Sequence, residues 1–133
     1  MSTLKVNTIQ DASGGNSSTA EQIAQGRAKV WINFNGGGPS NDAVSIRDSF
    51  NVSSITDHAV GDYTLNFTNA MANANYAIAG STIGSTTNYF NHVFGSGDTQ
   101  LSTGSMRFAT AATTNPNTKQ DTPFNHIIIL ADS

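Results

Sequence analysis

The reading of AKVWINFNGGGPSNDAVSIRDSFNVSSIT, residues 28–56, decides the fold. Ala28, Val30, Ile32 and Phe34 fall on one side of an alternating run, and Lys29, Trp31, Asn33 and Asn35 on the other. A period of two is that of a strand with one buried face. Gly36, Gly37, Gly38 and Pro39, then Ser40, Asn41 and Asp42, interrupt it, because these residues supply backbone angles that strands reject. Val44, Ile46, Asp48, Phe50 and Val52 then share a phase. The stretch predicts two antiparallel strands joined by a loop, the second running on past Val52.

Upstream, Leu4, Val6 and Thr8 alternate briefly before Asp11-Ala12-Ser13-Gly14-Gly15-Asn16 ends the pattern, which describes an extended arm over Ser2 to Ile9. Ser18-Thr19-Ala20-Glu21 fits a capping box between Ser18 and Glu21. The helix it opens, Thr19 to Gln25, is expected to stop at a left-handed Gly26. Its only apolar face, Ile23 with Ala20 and Ala24, must rest on the chain's own sheet or on a second copy.

Downstream, Asp57 to Asp62 reads as a hairpin loop leading into a strand with Tyr63, Leu65 and Phe67 on its buried face. Asn69 to Asn75 is a connector, and Tyr76–Ser81, Tyr89–Phe94, Ser105–Thr110 and Phe124–Ala131 follow as strands. The expectation is an all-β chain, a β-sandwich or small barrel, with a docking arm over 1–17, a short capped helix and link over 18–27 and the β-sandwich domain over 28–133. Phe90-Asn91-His92-Val93 and Phe124-Asn125-His126-Ile127 repeat the same order of residue types, as two strands in similar sheet positions would.

At 133 residues the chain is one domain's worth of protein. Its hydrophobic fraction of 37% is rich in alanine, so large aliphatic side chains are scarce, and short alternating strands with Thr, Ser and Asn outward together with a core completed against copies of itself are expected. Only 11% of residues are charged, the formal net charge is −3, and Lys5, Arg27, Lys29, Arg47, Arg107 and Lys119 each stand alone. A nucleic-acid partner or an anionic membrane surface needs clustered cations, so neither is expected. The longest strongly apolar run, Ile127 to Leu130, is too short to span a bilayer, and the N-terminus lacks the basic-then-apolar pattern of a secretory signal. The expectation is synthesis in the cytoplasm without membrane insertion.

The absence of cysteine excludes disulfides and thiolate chemistry. His58, His92 and His126 show no chelating spacing, so no cofactor or metal is expected; His92 or His126 at a symmetry axis is the one arrangement that would gather ligands. There is no Gly-x-Ser-x-Gly, and Gly36-Gly37-Gly38 lacks the Lys-Ser/Thr of a phosphate loop. Asp42, Asp57, Asp62, Asp98 and Asp121 all fall at expected turns, where such residues are ordinarily solvated. Trp31, on the polar side of its strand, is a residue that stacks on a sugar ring or anchors a subunit contact, and the subunit contact is favoured.

The residues also carry a family likeness. STLKVNTIQDASGGNSST, Ser2 to Thr19, resembles the opening of small virion proteins of tailed bacteriophages, especially those infecting marine cyanobacteria and described as tail-fibre proteins. AEQIAQGRAKVWINFNG, SIRDSFNVSSITD and GDYTLNFTNAMANANYAIAG, within Ala20 to Gly80, look like the repeated core of the same group. The resemblance implies a non-enzymatic virion component, a homotrimer contributing to host-surface attachment, with other virion proteins and a host-surface polysaccharide or receptor as partners. On that reading Leu4, Val6, Ile9, Ile23 and Trp31 are the docking or subunit-contact residues. The polar loops beyond Gly80, with Thr86, Asn88, Ser96, Asp98, Thr114 and Asn117, are the receptor-facing candidates. A capsid decoration or head-spike protein is the alternative, and a surface-polysaccharide depolymerase a third.

Overall fold

The computed structural model describes residues 1–15, 17–37, 43–84, 90–94, 100–111 and 118–132, with the backbone alone described over 90–94. Among the described residues two short strands, β1 (Thr8–Ile9) and β2 (Ser18–Thr19), and one helix, α1 (Ala20–Gly26), precede nine further strands. These are β3 (Val30–Asn35), β4 (Ser45–Phe50), β5 (Val52–Ala59), β6 (Asp62–Phe67), β7 (Ala77–Ile83), β8 (Phe90–Phe94), β9 (Gln100–Leu101), β10 (Ser105–Ala111) and β11 (Phe124–Leu130). The nine form one antiparallel sheet in the order β4-β3-β11-β7-β8-β10-β6-β5, with β9 pairing the first part of β10. The chain is all-β, as its alternation requires.

Inward positions obey the period of two. Val30, Ile32 and Phe34 of β3 are 0–2% exposed, and Tyr63, Leu65 and Phe67 of β6 are buried with them. Ile127 and Ile129 of β11 and Met106 and Phe108 of β10 complete the same core. β3 and β6 lie far apart in the strand order, yet the Phe34 ring stands edge-on to Tyr63 at 5.5 Å and to Phe108 at 6.1 Å. The sheet therefore curls back on itself, and its two halves share one interior.

The second half of the opening stretch departs from the expected single strand in two ways. Asn33 pairs Asp48, but Phe34 pairs Ile46, so Arg47 is an extra residue that bulges β4 and reverses its phase. Val44 packs against the core on one side of the bulge, while Asp48 and Phe50 stand opposite the outward Asn33 and Trp31. Phe50, expected in one phase with Val44, is thus carried to the outward side and is 53% exposed, while Ile46, opposite Phe34, is 38% exposed.

The second departure is a corner. Asn51 adopts φ +59, a left-handed conformation that Asn tolerates better than most residues, and ends β4. The chain then enters β5 at the opposite end of the strand order. The Asn51 side chain fixes the corner: Nδ2 donates to the carbonyls of Lys29 and Asn69, both at 3.1 Å, and Oδ1 accepts from Asn69 N at 2.8 Å.

The N-terminal elements pair with one another. Asp11 Oδ1 accepts from the amides of Ser13 and Gly15, turning the chain so that β1 pairs β2. The capping box lies one residue later than expected: Gln22 N donates to Thr19 Oγ1 at 3.1 Å and Thr19 N to Gln22 Oε1 at 2.9 Å. Gly26 is the last helical residue, not a left-handed stop, and extended Arg27 follows.

Replacing Asn51 with alanine is expected to lower unfolding free energy by about 2–3 kcal/mol, because alanine tolerates the left-handed angle less well than asparagine and the side-chain bonds are lost. Asn51→Gly keeps the backbone angle and should lose roughly half as much. Urea unfolding followed by circular dichroism distinguishes the two.

Candidate functional site

Four strands, β4, β3, β11 and β7, present their outward positions side by side. Because pairing is antiparallel and in register, side chains line up across the strands in rows. Phe50, Trp31, Ile128 and Ala79 form one row, and Asp48, Asn33, His126 and Ser81 the next. The first is apolar and open to solvent: Trp31 is 37% exposed and Ile128 42%. The second is polar.

Between β3 and β7 the two rows line a groove of about 500 Å³, with Trp31, Asn33, His126, Ile128, Ala79 and Ser81 around it. Among the described residues no carboxylate, ammonium or guanidinium lines it. Its floor is firm, since Ile32 and Ile127, the inward neighbours of these side chains, are buried in the core. At the rim, Arg47 Nη1 donates to Asn33 Oδ1 at 3.4 Å and the guanidinium lies 4.6 Å from the Phe124 ring centroid. Arg47 thereby steadies Asn33 without entering the groove.

The repeated Phe-Asn-His triplets fall on the two neighbours of β7. Phe124, Asn125 and His126 of β11 pair Ile83, Thr82 and Ser81, and Phe90, Asn91 and His92 of β8 pair the same three residues from the other side. The echo in the sequence is an echo in register. Among the described residues no group of three His, Asp or Glu side chains could hold a metal ion.

The acidic residues divide differently from expectation. Asp57 lies within β5, and His58 in the same strand hydrogen-bonds Thr64 Oγ1 through Nε2 at 2.9 Å. Asp62, expected as a solvated turn residue, is 4% exposed at the start of β6. Val60 and Gly61 alone make the turn, which is why Asp62 falls inside the strand. It takes a forked pair of bonds from Arg107, at 3.0 and 3.1 Å, and one from Lys119 at 2.5 Å. The Arg107 bonds, helped by Lys119 and opposed by burial, bring its carboxyl down from 3.8 to about 2.

Asp121 belongs to the same end of the sheet. Its Oδ1 accepts from Gly61 N at 2.6 Å and from the Tyr63 hydroxyl at 2.7 Å. Burial, and then the Asp121 carboxylate, push the Tyr63 phenol above its ordinary range. Gln120 N donates to Thr110 O and Thr110 Oγ1 to Gln120 O, so residues 119–122 form a strap across β6 and β10. Gly61 is required beneath it: its φ is +62, and a Cβ there would sit 2.4 Å from Gln120 N.

Of the expected contact residues, Leu4, Val6 and Ile9 are 84%, 42% and 55% exposed on the N-terminal unit, and Ile23 is half-buried on α1. None of them lines the groove that holds Trp31. Trp31 is gathered with Asn33 and His126 instead. Thr86, Asn88, Ser96, Asp98, Thr114 and Asn117 lie outside the described residues. Comparison of the chain with family models, curated proteins and solved structures finds no match.

Because folding lowers the Asp62 carboxyl below its unfolded value, its contribution is complete above about pH 4 and disappears as pH falls through about 2. Asp62→Asn should therefore be about 2 kcal/mol less stable than the parent near neutrality, the gap narrowing toward pH 2. Denaturant midpoints of both proteins across that range check it.

Proposed function

We propose that the chain is a non-enzymatic virion structural protein of a tailed bacteriophage, a tail-fibre-type homotrimer that contributes to attachment at the host surface. The observation that carries this reading is the N-terminal unit, residues 1–26. Leu4, Val6 and Ile9 are exposed there, and α1 buries no residue. A two-stranded hairpin with a two-turn helix does not hold together in water without something to pack on. A neighbouring copy or the virion supplies that surface.

The phrases that resemble tail-fibre proteins, from Ser2 to Gly80, include this unit and the strands that follow it, which supports assigning both to one assembly. The carboxylates support a structural role over a hydrolytic one. Asp62 is held by two cations and Asp121 by an amide and a phenol, so both are engaged in holding the sheet together.

Light scattering on the purified full chain at micromolar concentration should give the mass of a trimer. Substituting Leu4, Val6 and Ile9 together by serine should give a monomer whose β-sheet circular dichroism is unchanged. A monomeric parent protein sinks the trimer. Immunogold labelling of intact particles should place the chain at the tail; gold over the head transfers the same assembly to capsid decoration.

A further inference from the structure

We propose that the groove over Trp31 binds a neutral saccharide, one face of the sugar ring lying on the indole and its hydroxyls meeting Asn33, Ser81 and His126. The proposal names the ligand class for the attachment role above, and rests on that reading for its biological place. The groove itself stands on independent geometry.

Three features select the ligand. The first is the arrangement in rows. Successive outward positions on a strand are about 7 Å apart, which sets the apolar row with Trp31 and Ile128 beside the polar row with Asn33 and His126 at roughly the breadth of one pyranose. A sugar ring has the same division, with C–H groups on its face and hydroxyls around its edge. The second feature is charge: among the described residues no Asp, Glu, Lys or Arg lines the groove, and Arg47 at its rim is already engaged with Asn33 and the Phe124 ring, so the lining favours a neutral ligand over a carboxylated or phosphorylated one. The third is size, since about 500 Å³ lies within the range of small-ligand sites.

A second copy of the chain is the competing occupant, and the polar row argues against it. The apolar side chains of the N-terminal unit, Leu4, Val6 and Ile9, carry no donors or acceptors. Covering the groove with them would take Ser81, His126 and the Asn33 amide nitrogen out of water and offer them no side-chain partner in exchange, which is unfavourable for each group. A saccharide brings a hydroxyl to each. The rigid floor adds to this: Trp31 and Ile128 pair across β3 and β11 above a buried core, so the stacking platform exists before the ligand arrives.

Trp31 is the only tryptophan in the chain, so intrinsic fluorescence reports on this groove alone. The full-length protein is titrated through the millimolar range with neutral trisaccharides built from glucose, galactose, rhamnose or N-acetylglucosamine, followed by emission and by calorimetry. At least one should give a saturable emission shift with matching heat. Trp31→Ala should weaken its binding about tenfold or more, Trp31→Phe should retain most of it, and His126→Ala should weaken it severalfold. Leu101→Ala, on β9, should leave affinity unchanged, and all four variants should melt near the parent.

The site is overturned if no trisaccharide shifts emission, if Trp31→Ala binds as well as the parent, or if emission shifts with protein concentration alone in step with molecular mass. The last result would assign the groove to a second copy. A tail-located trimer without saccharide binding removes this site and leaves the attachment reading standing. A saccharide-binding chain found on the capsid does the reverse.

Discussion

The contact on which the rest of the structure depends is Phe34 against Tyr63 and Phe108. It joins β3 to β6 and β10, strands that are not neighbours in the sheet, and so it is a contact that only a curled sheet can make. Once Phe34 faces in, pleating fixes the rest of β3: Val30 and Ile32 go with it, and Trp31 and Asn33 must face out. Pairing carries that choice to β11, where Ile127 and Ile129 turn inward and His126 and Ile128 outward. The exposed apolar row is thus a direct consequence of how the core is closed.

Much of this was legible in the residues. The alternation of Val30, Ile32 and Phe34, and of Tyr63, Leu65 and Phe67, gave the right faces, because burial of one side of a strand leaves a local signature. Phe50 departs from the single phase its strand predicts for a local reason that is hard to see: one bulged residue, Arg47, reverses the phase, and bulges have no strong residue code outside glycine. Asn51 offered a hint in its tolerance of left-handed angles, but Asn is common throughout this chain. Asp62 was beyond reach for a different reason. Its partners lie 45 and 57 residues further on, and no local pattern announces a contact of that separation. The same holds for the groove, whose residues come from three strands brought together by topology alone.

A chain short of large aliphatic residues needs other means of holding a sheet closed, and the strap of residues 119–122 shows one. Tyr63 is at once a core ring and, through its hydroxyl, a partner of Asp121. Thr122 and Asn125, both fully buried, satisfy one another, with Thr122 Oγ1 donating to Asn125 Oδ1 at 2.6 Å and Asn125 Nδ2 to Thr122 O at 2.7 Å. Networks of this kind stabilise only when their members are paired, but when paired they specify one arrangement more sharply than an aliphatic patch of the same size. Here the arrangement joins one end of β6 and β10 to the start of β11, the strand that carries His126 and Ile128.

That connection bears on where the proposed recognition would sit. Loops at the end of a sandwich are the usual place for it, because they vary without disturbing the fold. A sheet face trades that freedom for rigidity. Trp31, Asn33, His126 and Ser81 are each set by two flanking strands and by a buried neighbour beneath, so little conformational entropy remains to be lost when a ligand arrives. For a weakly held ligand such as a neutral sugar, whose hydroxyls gain little over water, a small ordering cost decides whether binding is measurable at all. In the proposed trimer such a site would occur three times, and modest single-site affinity would then suffice for a firm hold on a repetitive surface.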